Sequence, residues 1–93
     1  MRKLTWGSSF RRALKRQVRN QPVLKQRILS TLAQLVEDPF HPQLKTHKLR
    51  GQLEGLWACW VEWDCRIIFA FEPNPPEEDS IVLIDIGTHD EVY

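Results

Sequence analysis

Apolar residues recur along this chain in two periods, first helical and then extended. Phe10, Leu14 and Val18 fall at i, i+4 and i+8, which is one stripe of a helix. The spacing predicts a helix over about Ser9 to Arg19, with Ser8 or Ser9 capping its first N–H groups. Arg11, Arg12, Lys15, Arg16 and Arg19 occupy the other faces. Asn20-Gln21-Pro22 is a break whose proline suits a first helical turn. Leu24, Ile28, Leu32, Leu35 and Val36, with Leu29 beside them, then make a second stripe and predict a helix from about Pro22 to Val36. Asp38-Pro39 ends it, because a residue before proline avoids helical angles. Two helices joined so tightly form a hairpin.

The period of two belongs to the rest of the chain. Arg2 to Trp6 reads as a short strand ahead of Gly7. Pro39 to Gly55 is polar, irregular and basic, with turns expected at Gly51 and Gly55. Leu56 to Trp63, Cys65 to Glu72 and Ile81 to Ile86 are strand-like, rich in aromatic and β-branched residues. Asp64-Cys65 is the expected hairpin turn, and Pro73 to Asp79 a connecting loop. Alternation puts Trp57, Cys59, Val61 and Trp63 on one face. Leu56, Ala58, Trp60 and Glu62 fall on the other, which makes Trp60 the least buried of four otherwise core tryptophans. The element order is β-α-α-β-β-β. Grouped helices and strands imply an α+β fold, a helical hairpin packed on a small, mainly antiparallel sheet. The 93 residues suit a single domain over 1–93. So small a domain buries roughly 60–65% of its unfolded surface, and a partner covering apolar surface would stabilise it.

Charge changes this picture. The net charge of +1 conceals a split. Residues 1–50 carry twelve Lys and Arg against Glu37 and Asp38, whereas residues 51–93 carry Arg66 against ten acids. A first half this basic points to a polyanionic partner rather than to ordinary solvated helices, where acids would be interspersed. No apolar run approaches the roughly 18 residues of a membrane span. Met1 to Trp6 is too short and polar for a secretory leader, so a cytoplasmic location with Cys59 and Cys65 reduced is expected, although their spacing leaves a disulfide open. Cys-x5-Cys without a second pair does not make a zinc site, so no metal and no cofactor are expected.

For a nucleic acid, Lys45, Lys48 and Arg50 in the loop and Arg66 within a strand are the candidate phosphate-binding groups. Arginine in an apolar strand needs an anionic partner, either a substrate phosphate or a carboxylate such as Asp64 or Asp85. RNA is cleaved without metal when a base takes the 2′-OH proton, an acid protonates the leaving 5′-oxygen, and cations steady the phosphorane. His47 and His89 have the right pKa range for those roles. His89 follows Gly87-Thr88 at a strand end. Tyr93 stacks on a base, positions a phosphate or anchors the tail by packing; His41 is background.

The strings His47-Lys48-Leu49-Arg50-Gly51, Gly55-Leu56-Trp57, Asp64-Cys65-Arg66-Ile67-Ile68-Phe69 and Ile84-Asp85-Ile86-Gly87-Thr88-His89-Asp90-Glu91-Val92-Tyr93 resemble the RelE/ParE superfamily of bacterial toxins. Its YafQ-like mRNA interferases fit best, over essentially the whole chain. The resemblance implies a toxin that enters the ribosomal A site and cuts translated mRNA without metal or cofactor, and a cognate antitoxin that blocks it. Apolar surface left on so small a domain suits an antitoxin segment that folds on binding. The resemblance places functional groups at His47, Asp64, His89 and Tyr93. The two histidines would be acid and base, with Asp64 orienting one of them. Two positions depart: Trp60 stands where a YafQ-like toxin has histidine, and Asp85 where it has arginine. Either Arg66 replaces that missing cation or Asp85 holds Arg66 in place. The same fold also admits a gyrase inhibitor of ParE type, or a catalytically weak member that only binds antitoxin.

Overall fold

The computed structural model describes residues 3–73 and 79–88. Its elements are β1 (Lys3–Trp6), α1 (Ser8–Gln17), α2 (Pro22–Glu37), β2 (His47–Lys48), β3 (Trp57–Glu62), β4 (Cys65–Pro73) and β5 (Asp79–Gly87). Short 3₁₀ turns at Pro42–Leu44 and Gly51–Leu53 flank β2. The five strands form one sheet in the order β1-β5-β4-β3-β2. Pairing is antiparallel except for β1, which runs parallel to β5. The expected α+β architecture is therefore present, with a two-residue strand inside the segment expected to be irregular.

Both helices lie on one face of the sheet. Phe10 and Ala13 of α1 and Ile28, Leu32 and Leu35 of α2 enclose a core with Cys59, Val61, Cys65, Ile67, Phe69, Ile81, Leu83 and Ile86. Among the described residues no polar or charged side chain is buried. The helical stripes fall where the sequence puts them, with Ala13 added between Phe10 and Leu14. The far face carries a smaller cluster, Ala58 and Ile68 with Leu49, Leu56 and Ile84 packed on it. Leu49 and Leu56 thereby fasten the basic loop against the sheet.

Helix α1 begins one residue early and lacks the expected serine cap. Its N-cap is Gly7, with no side-chain capping bond. The reason is tertiary: the Gly7 N–H donates to Leu83 O at 3.1 Å, and a Cβ on Gly7 would sit 2.7 Å from that same oxygen. The strand-to-helix joint is clamped to β5 too closely for any side chain. At its other end α1 stops at Gln17, because Asn20 takes a left-handed φ of 58° and the Gln21 side chain donates to Gln17 O.

Two bulges reset the alternation assumed from sequence. In β3 the register shifts between Trp60 and Glu62, so Glu62 turns to the helical side, where it meets Arg27 of α2 at 3.7 Å. That exposed pair contributes little. In β5 the shift opposite Ile68/Phe69 leaves Ile84 as the extra residue, and Asp85 falls beside Ile84 on the open face. Trp63 then lies in the β3–β4 turn and is 80% exposed, whereas Trp60 is half-buried. The expected order of exposure among the tryptophans is reversed. The turn itself is Trp63-Asp64, with Cys65 already in β4.

Both cysteines are buried and unbridged. Burial, reinforced by the neighbouring Cys65, pushes the Cys59 thiol from 9.0 up to about 12. A folded-state pKa raised above the unfolded value means that this stabilisation is complete below pH 9 and is lost as pH climbs toward 12. Urea melts between pH 8 and 11 should therefore show wild-type stability falling faster than that of Cys59→Ala, by up to ~1.4 kcal/mol per pH unit above 9. Parallel pH curves would contradict the burial account. Gly7→Ala tests the clamp: overpacking against Leu83 O should cost ~1–3 kcal/mol in the same assay.

Candidate functional site

The open face of the sheet can be laid out from its registers. His47 pairs with Ala58, Ala58 with Ile68, and Ile68 with Asp85. The next row pairs Trp60 with Arg66 and Arg66 with Gly87. Extending the β2–β3 register by two residues sets Lys45 opposite Trp60. With strands about 4.8 Å apart, His47 and Asp85 lie at opposite edges of this platform, separated by roughly 14 Å.

His47 is exposed on the edge strand. Its Nδ1 lies 2.9 Å from Lys45 O. A carbonyl only accepts, so Nδ1 is the donor in this contact, and a neutral ring so placed would carry its lone pair on Nε2. That is the tautomer a general base requires at Nε2. A cleft of about 880 Å³ opens beside it, lined by His47, Lys48, Arg50, Glu54 and Trp57 among others. Gly51 and Gly55 hold φ of 69° and 93° there, backbone that favours glycine and folds the loop around the cleft. Three of the sequence-selected residues, His47, Lys48 and Arg50, thus meet in one place. Sequence gives no signal for Glu54 and reads Trp57 as a core residue; only the folded loop brings them alongside.

The lysines are held by rings rather than extended into solvent. Lys48 Nζ lies 5.5 Å from the centre of the Trp57 ring, and Lys45 Nζ lies 4.9 Å from that of Trp60. Such contacts contribute about 0.5–1 kcal/mol each at exposed sites. Lys45 reaches its position through a left-handed φ of 50°. His41 closes the turn before it by accepting Gln43 N–H on Nδ1 at 3.1 Å, a structural role that sequence left as background.

Arg66 answers the expected anionic partner differently. Its Nη1 donates to Glu62 O at 3.0 Å and Trp63 O at 2.9 Å, with a longer contact to Cys65 O. Main-chain carbonyls of the β3–β4 turn stabilise it, and among the described residues neither Asp64 nor Asp85 forms an ion pair with it. Asp85 instead accepts the Ile86 N–H on Oδ1 at 2.8 Å.

Asp64 is exposed in the hairpin turn, beyond roughly 13 Å of strand separating Ala58 from Glu62. It is not brought next to His47. Gly87 pairs with Arg66, so β5 runs toward the end of the sheet that carries Asp64. His89 and Tyr93 lie outside the described residues.

The family model for bacterial toxins of type II toxin-antitoxin systems, YafQ, matches residues 2–93. The chain belongs to the YafQ toxin family. No curated protein matches it in sequence. Among solved structures, this YafQ-family chain is similar to YafQ from Escherichia coli strain BL21(DE3), at 18% identity and a TM-score of 0.77 over 100% of this chain and 99% of that one. A YoeB/ParE toxin from Agrobacterium tumefaciens aligns at 20% identity and a TM-score of 0.77, covering 94% and 98%. The toxin-antitoxin complex of E. coli DinJ and YafQ aligns at 18% identity and a TM-score of 0.75, covering 99% and 97%. At these identities the structural likeness is one of fold.

Arg66→Met should destabilise the toxin by ~1.5–3 kcal/mol in chemical denaturation, the usual contribution of hydrogen bonds to a charged group. An arginine held only for a ligand would leave the unliganded protein's stability unchanged.

Proposed function

We propose that this YafQ-family toxin is a metal-independent, ribosome-dependent mRNA endonuclease, acting in the cytoplasm as a single domain over residues 1–93. The observation that supports this reading best is His47, whose Nδ1 meets Lys45 O at the rim of a cleft that also gathers Lys48 and Arg50. An imidazole beside two cations suits transfer of a phosphoryl group within RNA.

In the proposed reaction one histidine takes the proton of the ribose 2′-OH. The 2′-oxygen attacks phosphorus, and the bond to the 5′-oxygen breaks as the second histidine protonates that leaving group. The products are a 2′,3′-cyclic phosphate and a free 5′-hydroxyl, with one proton removed and one returned. His47 is assigned as one partner and His89 as the other. Lys45, Lys48 and Arg50 neutralise the phosphate. Arg66 contributes positive potential from the adjoining row while its Nη1 holds the hairpin. Asp64, at the end of the sheet toward which β5 runs, is assigned to orienting His89, and Tyr93 to stacking on a base. Asp85 stands where a cation would help the phosphorane, which predicts slower cleavage than a site with arginine there.

The antitoxin partner follows from family membership and from the DinJ–YafQ complex of the same fold. The exposed cations of α1 suit an acidic antitoxin segment that becomes ordered on binding.

His47→Ala and His89→Ala should each slow cleavage of translated mRNA by about 10²- to 10⁴-fold in a reconstituted translation reaction containing EDTA-treated toxin. Naked RNA should remain intact with wild-type toxin. If both variants cleave normally, the acid–base assignment fails. Growth arrest with intact mRNA, accompanied by inhibited gyrase supercoiling, would replace this reading with the ParE type.

A further inference from the structure

A second cleft, of about 510 Å³, lies between α2, the Pro42–Leu44 turn and the outer edge of β3. Strand β2 pairs only with Trp57 and Ala58, so nothing from the ladder covers β3 beyond them. Trp60 and Lys45 line the cleft, with the Lys45 ammonium lying over the indole ring. Around them stand Thr31, Gln34 and Gln43. Gln34 is half-buried, yet among the described residues its amide makes no hydrogen bond to protein; the Gln43 side chain makes none either. Thr31 donates its hydroxyl proton to Arg27 O at 2.8 Å and retains its acceptor capacity.

We propose that this cleft is a nucleotide subsite in which Trp60 stacks on one nucleobase, Gln34 and Gln43 meet the base edge, and Lys45 takes the attached phosphate. The inference rests on RNA being the substrate and adds to it a place where one base is read. A flat ring, neutral two-way amides and a single cation held beside the ring match the three parts of a nucleotide. A peptide strand would need apolar pockets for alternate side chains, but the apolar walls here, Leu44 and Val61, are only 3% and 5% exposed. The subsite adjoins the catalytic rim directly, because Lys45 O is the group that fixes His47 Nδ1 at 2.9 Å. A base seated on Trp60 would therefore set the position of the neighbouring phosphate relative to His47, and Trp60 would govern base preference.

Titration of ¹⁵N-labelled toxin with the four 5′-mononucleotides, with inorganic phosphate and with a short acidic peptide tests the site. The mononucleotides should shift the Trp60 indole signal and the Gln34 and Gln43 side-chain amides, purines more strongly, while the Trp6 and Trp63 indoles stay in place. Phosphate alone should leave the Trp60 indole unmoved. Trp60→Ala should lower nucleotide affinity about tenfold or more, and Trp60→Phe should retain most of it; well-dispersed spectra of both variants establish folding. Gln34→Leu should weaken binding and flatten the differences among bases. Unmoved Trp60 signals, equal shifts with phosphate alone, or a response to the peptide instead of the nucleotides would each overturn the subsite. These readouts need no cleavage: binding without mRNA cleavage sinks the nuclease reading alone, and cleavage without binding sinks the subsite alone.

Discussion

The fold depends on β5 being paired along both edges. Its antiparallel ladder with β4 runs from Asp79 to Gly87, and its parallel ladder with β1 joins the start of the chain to its end. Ile81, Leu83 and Ile86 are buried against the helices. A strand in that position must satisfy two ladders and a core at once, so its geometry is not negotiable. Removing one such side chain costs about 2–5 kcal/mol, a large fraction of what a domain of this size has. The Gly7 clamp belongs to the same constraint: α1 starts where Leu83 allows it to start. The bulge at Ile84 belongs to it as well. By adding one residue opposite Ile68/Phe69, it keeps Ile86 in the core and places Asp85 on the open face.

Because the core holds no described polar side chain, all candidate chemistry lies on the open face and its rim. Several cations there already have structural attachments. Arg66 bridges the hairpin carbonyls, and Lys45 and Lys48 rest on indole rings. Such attachments restrict the side chains before any ligand arrives, which lowers the entropy lost on binding. The α1 cations differ. Arg12, Lys15 and Arg16 of α1, with Arg19 just past its end, are exposed. They supply long-range attraction to a polyanion rather than precise placement.

The helices were readable in the sequence because their stripes are driven by burial alone: Phe10, Ile28, Leu32 and Leu35 have a single apolar surface to reach. The strands were readable for the same reason, as was the α+β grouping. What sequence could not supply was any feature set by a partner distant in the chain. Gly7 rather than a serine caps α1 because of Leu83. Glu62 faces α2 and Trp63 faces solvent because a bulge reverses the period assumed for β3. Arg66 reads in sequence as a strand arginine in need of an anionic partner, yet its partners are carbonyls that exist as a set only once the hairpin has turned. At the candidate site, His47, Lys48 and Arg50 were found because they are adjacent in sequence. Glu54, Gln34 and Gln43 were missed, since isolated polar residues give no signal until the chain folds.

On the proposed reading, Trp60 bears on catalysis and on recognition at once. A histidine at that row would offer a titratable nitrogen on the open face; an indole offers none that titrates. In exchange, the larger ring reaches Lys45 and helps to wall a cleft whose other lining comes from α2, the Pro42–Leu44 turn and Val61. Loss of a proton-transfer group and gain of a stacking surface are opposite changes for catalysis and for recognition. On the proposed reading, Asp85 adds negative charge near the far end of the same face, so acid–base work would fall on fewer groups and placement of the substrate would have to offset that loss. Such a site would give up rate while its selectivity for a bound nucleotide rose, because the interactions that remain would act on the base and on a single phosphate rather than on the charge developing at phosphorus.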